Sequence, residues 1–428
     1  MIKQVSKIQN GLKGEIEIPA DKSISHRAIM LSSLAKGKSI IRNFSQGADC
    51  KSTLELFKLL GVEINYLDDK TLEVLSNGEL TSNSNNIYAY PCGNSGTTMR
   101  LVSGILAGQK FNSILTGDES LSRRPMRRII EPLTLMGAKI EAINGHAPLT
   151  ITGKPLQGIT YQSQLSSAQV KSCILLAGLN ADGKTIYIEP SKSRDHTEKM
   201  LQYLGVEINI DGNMVEIMKS ELEAKDIDIV GDISSAAFFI VAALITPKSD
   251  IIIKNVGINP TRSGIIDVAK RMNGQIKILD EKEKSGEKVA DIRIKYSENL
   301  IGTIIEGDDI PRLIDELPVI AVLASQADGT TLVRNAEDLR NKEADRISCI
   351  VSELKKIGID ITETRDGFVI NGKTKINGDA ELECYHDHRL AMSFYVAGLI
   401  CEKEIAINGF EWTKISFPEF ESLMNNLT

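Results

Sequence analysis

The stretch Asp21-Lys22-Ser23-Ile24-Ser25-His26-Arg27 runs straight into Ala28-Ile29-Met30-Leu31-Ser32-Ser33-Leu34-Ala35, joining a polar, cation-bearing loop to an apolar helical pattern. Ser23 or Ser25 is placed to cap free backbone N–H groups, the helix dipole adds partial positive charge, and Lys22 and Arg27 stand on either side. Such a loop is suited to hold an anion. One copy would read as an ordinary capped helix with surface charges, but the device returns. It recurs as Gly93-Asn94-Ser95-Gly96-Thr97-Thr98-Met99-Arg100-Leu101, Ser166-Ser167-Ala168-Gln169-Val170-Lys171 and Gly231-Asp232-Ile233-Ser234-Ser235-Ala236-Ala237-Phe238. Two more copies follow, Asp315-Glu316-Leu317-Pro318-Val319 and His386-Asp387-His388-Arg389-Leu390-Ala391. Aligned on Arg27, Arg100, Lys171, Phe238, Val319 and Arg389, the copies lie 73, 71, 67, 81 and 70 residues apart.

A second signature sits between these helices, where an amphipathic helix stops at a glycine and an alternating strand begins. It reads Leu60-Gly61-Val62-Glu63-Ile64, Met136-Gly137-Ala138-Lys139-Ile140, Leu204-Gly205-Val206-Glu207-Ile208, Asn273-Gly274-Gln275-Ile276 and Ile357-Gly358-Ile359-Asp360-Ile361. Glycine is the residue expected at a left-handed helix C-cap. Runs such as Lys38-Ser39-Ile40-Ile41, Lys184-Thr185-Ile186-Tyr187-Ile188 and Thr330-Thr331-Leu332-Val333 supply strands after the apolar helices. The repeat is therefore β-α-β-α-β-β over about 70 residues, longer than the usual solenoid period. Six copies, two of them split at the chain ends, give two domains of three units each. After the fourth, Asp280-Glu281-Lys282-Glu283-Lys284-Ser285-Gly286-Glu287-Lys288 reads as a charged, solvated hairpin insertion, and residues 77–86 as a surface loop. Neither carries a functional signal.

A chain of 428 residues with 42% hydrophobic and 25% charged residues is a globular protein of more than one core. Its net charge of -7 argues against nucleic-acid or membrane-surface partners, though screening over about 10 Å lets a local basic pocket survive. Six cysteines without a C-x-x-C pair read as reduced, buried thiols. Met1-Ile2-Lys3-Gln4 opens no apolar signal region, and the longest apolar run, residues 236–245, is far short of a membrane span. The expected location is the cytoplasm.

Six motifs in order, Asp21 to Arg27, Gly93 to Arg100, Arg124-Pro125-Met126, Ser167-Ala168-Gln169, Asp315-Glu316-Leu317-Pro318 and His388-Arg389-Leu390-Ala391-Met392, closely resemble the 3-phosphoshikimate 1-carboxyvinyltransferases (EPSP synthases) of the enolpyruvyl transferase family. The match runs from residue 21 to about residue 418. It implies an α/β (α+β) fold of two similar domains, each built from three such repeats in an inverse α/β barrel-like arrangement and hinged around a central cleft. One domain would hold residues 20–229, the other residues 1–19 plus 230–428, with crossovers near 20 and 230. The implied reaction transfers the enolpyruvyl group of phosphoenolpyruvate to the 5-hydroxyl of shikimate 3-phosphate through a tetrahedral intermediate. It gives 5-enolpyruvylshikimate 3-phosphate and phosphate, a step of the shikimate pathway toward chorismate and aromatic amino acids. The family works without cofactor, as a monomer, and binds the inhibitor glyphosate at its phosphoenolpyruvate site.

Both substrates carry a phosphate and a carboxylate, so such a site needs several Lys and Arg, with Arg best suited to planar bidentate anions. By resemblance, shikimate 3-phosphate would be bound by Lys22, Ser23, Arg27, Ser167, Gln169, Arg194, Asp315 and Lys342. Arg27 would take its carboxylate, and the serines and Arg194 its phosphate. Phosphoenolpyruvate would be bound by Lys22, Asn94, Gly96, Arg124, Gln169, Arg346, His388, Arg389 and Lys414. Gly96 would act through its backbone N–H, where a missing Cβ permits close approach. Lys22, Asp315, Glu343 and Lys342 would be catalytic, Asp315 near the hydroxyl and Glu343 near the methylene carbon. The family often places a lysine directly before a terminal Ser/Thr-Phe-Pro; in Lys414-Ile415-Ser416-Phe417-Pro418 one residue intervenes.

Plainer readings stand beside these. Asp315 also suits a helix N-cap, and Lys342-Glu343-Ala344-Asp345-Arg346 an exposed, salt-bridge-laced helix start. Ser193-Arg194-Asp195-His196-Thr197-Glu198 has the form of a capping box. Gly93 to Thr98 fits neither Walker A nor G-x-G-x-x-G spacing, and Ser122-Arg123-Arg124-Pro125-Met126-Arg127-Arg128 continues into helical spacing rather than forming a nucleic-acid patch. His386-x-His388 lacks a third ligand, so no metal is expected. The sister reaction on UDP-N-acetylglucosamine calls for asparagine after the first-loop lysine, where Ser23 stands. It also commonly has a cysteine before the Arg-Pro, and residues 118–123 contain none. A silent anion-binding module on the same scaffold is disfavoured by the joint presence of Lys22, Asp315, Glu343 and Arg389.

Overall fold

A computed structural model describes residues 1–82 and 88–428 of the chain; residues 83–86 of the expected surface loop lie outside the described residues. The chain divides into two compact units. The N-terminal unit holds Ala20–Ile229 with Glu283–Glu287, and the C-terminal unit holds Met1–Pro19, Val230–Lys282 and Lys288–Thr428.

In the N-terminal unit the repeat is visible three times as a four-stranded sheet with one order: a short strand parallel to a central strand, then a hairpin. Tyr88–Pro91, Ser113–Thr116, His146–Thr152 and Lys139–Ile143 form one such sheet. Thr160–Gln162, Thr185–Ile188, Met214–Ile217 and Ile208–Asp211 form another. In the third, Lys36–Arg42 pairs with Thr71–Asn77 on one side and in parallel with Ile227–Asp228 on the other. The first repeat thus receives its leading strand from nearly 190 residues downstream. The C-terminal unit shows the reciprocal exchange, since Lys13–Glu17 lies parallel to Asp250–Gly257 in the fourth repeat. Its sixth repeat stops short: Glu381–Glu383 and Ile405–Asn408 are completed by Ile2–Val5 in a three-stranded sheet.

Each unit is organised around three apolar helices. Ile233–Ile245 and Leu317–Ser325 are buried at every residue, and His388–Gly398 at all but Arg389. Lys22–Leu34, Gly96–Ala107 and Ala168–Gly178 do the same work in the N-terminal unit. A helix apolar on all sides has to lie inside, which leaves one face of each sheet and the amphipathic second helices for solvent. The 236–245 run is part of such a core helix, and no helix among the described residues is long and apolar enough to cross a membrane. All six cysteines are unpaired and buried.

Three local expectations need correction. Gly61, Gly137, Gly205 and Gly358 take positive φ at the ends of the second helices, but in the fourth repeat Asn273 does so (φ 65°), and Gly274 does not. Asn tolerates the left-handed region because its short polar side chain hydrogen-bonds locally. The charged segment 280–288 forms the expected hairpin, though as the continuation of two paired strands, Gln275–Lys284 and Glu287–Lys295, rather than as a separate insertion. Nor is its tip simply solvated: Glu283–Glu287 groups with the N-terminal unit, and Glu287 is buried.

Candidate active site

The N-termini of the core helices carry most of the polar residues singled out above. On Lys22–Leu34 the cap is Asp21, whose carboxylate accepts from the Ile24 N–H at 2.9 Å; neither Ser23 nor Ser25 caps. A carboxylate is the better partner for the dipole's positive end. Ser25 is spent otherwise, donating to the Asp21 carbonyl at 2.8 Å and accepting from the Ser45 N–H. Ser23 gives its carbonyl to Arg27 Nη1 at 2.9 Å. Lys22 forms an ion pair with Asp49 and keeps 28% of its side chain exposed.

Arg27 is 4% exposed and held by uncharged oxygens: besides the Ser23 carbonyl, Thr197 Oγ1 accepts from Nε and Ser172 Oγ from Nη2, both at 2.7 Å. Burial lowers its pKa to about 10, with Glu198 opposing and Arg194 adding to the fall. Arg194 is thus near enough to repel it electrostatically. Ser167 caps Ala168–Gly178 through the Val170 N–H, and Ser95 caps Gly96–Ala107 through the Thr98 N–H at 3.1 Å. Gln169 bridges these helices, accepting from Arg100 Nη1 at 2.6 Å and donating to Thr97 Oγ1 at 3.1 Å. Arg124 donates to Asn94 Oδ1 at 2.9 Å, and Asn94 donates to Asp118 at 2.8 Å. Gly96 lies under both guanidinium groups; a Cβ there would stand 2.8 Å from Arg100 Nη1 and 3.5 Å from Arg124 Nη1. Lys22, Arg27, Asn94, Gly96, Arg124, Ser167, Gln169 and Arg194 therefore share the N-terminal unit.

Behind them a neutral relay joins the first two core helices. His26 Nδ1 meets Thr53 Oγ1 at 2.6 Å, Thr53 meets Thr98 Oγ1 at 2.7 Å, and Thr98 donates to Ser95 Oγ at 2.7 Å. With the Thr98 proton directed at Ser95, Thr53 donates to Thr98 and the proton on His26 resides at Nδ1. Burial, with Lys22 adjacent, pushes the His26 pKa down to about 3. The segment 193–198 is not a capping box: Asp195 holds the cap position of His196–Tyr203 without a side-chain bond. Glu198 instead pairs with the fully buried Lys171 at 2.7 Å, which also reaches Glu189 at 2.8 Å and the Ser193 carbonyl at 3.2 Å. Its neighbouring carboxylates hold Lys171 above the usual lysine range in spite of burial.

The C-terminal unit collects the acidic members. Asp315 is not a cap; Glu316 takes that position on Leu317–Ser325, without a side-chain capping bond. The Asp315 carboxylate lies 3.4 Å from Lys342 Nζ and 3.5 Å from Arg346 Nη1. Arg346 is 1% exposed and stands among three carboxylates: Glu343 at 2.7 Å on Nη2, Asp387 at 2.7 Å on Nε, and Asp315. Burial alone would disfavour its charge, but Asp387, Glu343 and Asp315 together raise its pKa above the ordinary arginine value. The expected exposed helix start is thus corrected. A 3-10 turn, Glu337–Asn341, precedes it, Asp345 caps Arg346–Lys356 at the Ser348 N–H, and Arg346 points inward. Arg389 donates to the Asp315 carbonyl at 3.3 Å and keeps 13% of its side chain exposed, while Asp387 caps His388–Gly398 with His388 buried beside it. Lys414 stands exposed on the 3-10 segment Phe410–Ile415.

Arg100, Thr197 and Asp387 were missed as partners of the site. Arg100 and Asp387 lie inside motifs already marked, but only tertiary contact shows what they touch. Among the described residues no group of three or more His, Cys, Asp or Glu is arranged to hold a metal ion.

Residues 6–424 match the family model described as EPSP synthase (3-phosphoshikimate 1-carboxyvinyltransferase). The 3-phosphoshikimate 1-carboxyvinyltransferase of Endomicrobium trichonymphae is 50% identical over 98% of each chain, and that of Thermodesulfovibrio yellowstonii 52% identical over 97% of each. Among solved structures, EPSP synthase from Acinetobacter baumannii superposes with a TM-score of 0.89 at 42% identity, covering 99% of this chain and 97% of that one. The enolpyruvyl transferase NikO from Streptomyces tendae, at 16% identity and a TM-score of 0.81, shares the fold.

Proposed function

Since the chain belongs to the EPSP synthase (3-phosphoshikimate 1-carboxyvinyltransferase) family, and is a transferase moving the enolpyruvyl group of phosphoenolpyruvate to shikimate 3-phosphate, we propose how its residues divide that work. The two compact units are the two domains of the enzyme, with crossovers near residues 20 and 230. Arg27, Ser23, Ser167, Gln169 and Arg194 hold shikimate 3-phosphate. Arg124, the Gly96 N–H, Asn94, His388 and Arg389 hold phosphoenolpyruvate, with Lys414 reaching its phosphate from an exposed position.

The reaction moves protons in both halves. The 5-hydroxyl loses its proton as its oxygen bonds C2 of phosphoenolpyruvate, while the methylene carbon C3 gains one, giving the tetrahedral intermediate. The methyl group then returns a proton as the C2–O bond to phosphate breaks. Asp315 accepts the hydroxyl proton, Glu343 serves the methylene carbon, and Lys22 and Lys342 stabilise the charge that develops. The observation that carries this division is the position of Asp315 and Glu343 on two nitrogens of one guanidinium, Nη1 and Nη2 of Arg346. A guanidinium shared in this way fixes the separation of the two carboxylates. Arg346 reaches the donor by exchanging one of these contacts for the substrate.

The enzyme works as a cytoplasmic monomer without nucleic-acid or membrane partners. Glyphosate competes at the phosphoenolpyruvate site; an inhibition titration flat into the millimolar range would reject that. For the reaction itself, phosphate release from phosphoenolpyruvate is to be followed with shikimate 3-phosphate, with UDP-N-acetylglucosamine, and with neither. Release only with shikimate 3-phosphate is expected, and release with the nucleotide sugar, or none, would overturn the assignment.

A further inference from the structure

We propose that Glu287, at the tip of the charged hairpin, is a positioning residue of the acceptor site, acting through His196. Of the seven charged residues in 280–288 only Glu287 is buried, at 3% exposure. A carboxylate is buried at a cost of several kcal/mol unless paired. Its Oε1 lies 2.7 Å from Nδ1 of His196, itself 2% exposed. The rest of the tip is fastened beside it: Ser285 Oγ accepts from the Asp228 N–H at 2.9 Å, and the Gly286 carbonyl accepts from Lys199 Nζ at 3.5 Å.

What this pair holds is the start of His196–Tyr203, which has no side-chain cap of its own. One residue beyond His196, Thr197 Oγ1 fixes Arg27 Nε and meets Ser172 Oγ. Two residues before it stands Arg194. Lys171 anchors the same segment from below, through Glu189, the Ser193 carbonyl and Glu198. Glu287 adds a restraint from a different part of the chain, and its charge also opposes the loss of the Arg27 proton. Removing it frees the helix start that sets where Arg194 and the Thr197–Arg27 contact stand.

The inference rests on the reading that Arg27 and Arg194 hold shikimate 3-phosphate. Its test is to measure kcat, both KM values and calorimetric binding of shikimate 3-phosphate for Glu287→Met, Glu287→Gln and Arg194→Ala, with thermal unfolding followed throughout. Glu287→Met should raise the KM for shikimate 3-phosphate about 10-fold while that for phosphoenolpyruvate stays within about 2-fold. Glu287→Gln, whose amide oxygen still accepts from Nδ1–H, should recover to within about 3-fold of the parent. If Glu287→Met does not fold, the double variant His196→Ala/Glu287→Ala leaves neither polar group buried alone, and the same selective rise is expected. An unchanged KM for shikimate 3-phosphate, or an equal rise for both substrates, overturns the proposal when Arg194→Ala raises it. No effect from Arg194→Ala removes the reading beneath.

Discussion

The two units solve the same problem, holding a guanidinium group beside the start of an apolar core helix, with opposite chemistry. In the N-terminal unit Arg27 rests on a carbonyl and two hydroxyl oxygens, and Arg100 and Arg124 donate to the side-chain amides of Gln169 and Asn94. In the C-terminal unit Arg346 stands among Asp315, Glu343 and Asp387. The neutral supports of Arg27 orient it and leave its charge for a ligand, whereas the carboxylates around Arg346 consume its charge. The first arrangement is suited to binding anions and the second to moving protons.

The contrast breaks most visibly at Asp315. Asp315→Asn keeps the shape and removes the base, so kcat should fall about 10²–10⁴-fold with little change in either KM; unaltered turnover in a steady-state assay would take Asp315 out of its role. Gly96→Ala sharpens the other side. Its methyl group stands 2.8 Å from Arg100 Nη1 and 3.5 Å from Arg124 Nη1, beside the N–H assigned to phosphoenolpyruvate, so the KM for phosphoenolpyruvate should rise about 10-fold and by more than that for shikimate 3-phosphate. Equal shifts in both would mean that Gly96 does not distinguish the two substrates.

The smallest effect near neutral pH belongs to His26, part of the neutral relay. Its pKa drops from 6.5 to about 3 on folding, so the unfolded chain takes up the proton first as pH falls. Stability is then full above 6.5 and declines toward pH 3, by up to about 1.4 kcal/mol per pH unit from this group. Denaturant unfolding across that range should show His26→Gln with a shallower acid slope than the parent.

Much of the fold was legible because repetition is legible. The apolar helices, the glycine stops and the strand hairpins each recur at a spacing that a sequence displays, and even the Asn273 exception lies next to the expected glycine. The exchange of Ile227–Asp228 for Lys13–Glu17 as leading strands was not written in any local pattern, since both are short and pair in parallel with distant partners. Within the site, residue types announced the chemistry but not the partners. Ser23, Ser25 and Asp315 all read as caps, and only packing decides that Asp21 caps instead of the serines while Asp315 faces Lys342 and Arg346. Glu287 gave no signal at all, because a charged run reads as solvated until something buries one of its members.

The division of labour itself is tested by calorimetric titration of shikimate 3-phosphate into Arg27→Ala and Asp315→Asn side by side. Loss of the charged contacts made by Arg27 should weaken binding about 10- to 100-fold, while Asp315→Asn should bind within about 3-fold of the parent despite its lost turnover. Unimpaired binding by Arg27→Ala, or a comparable loss in Asp315→Asn, would contradict the assignment of shikimate 3-phosphate binding to Arg27 and of proton transfer to Asp315.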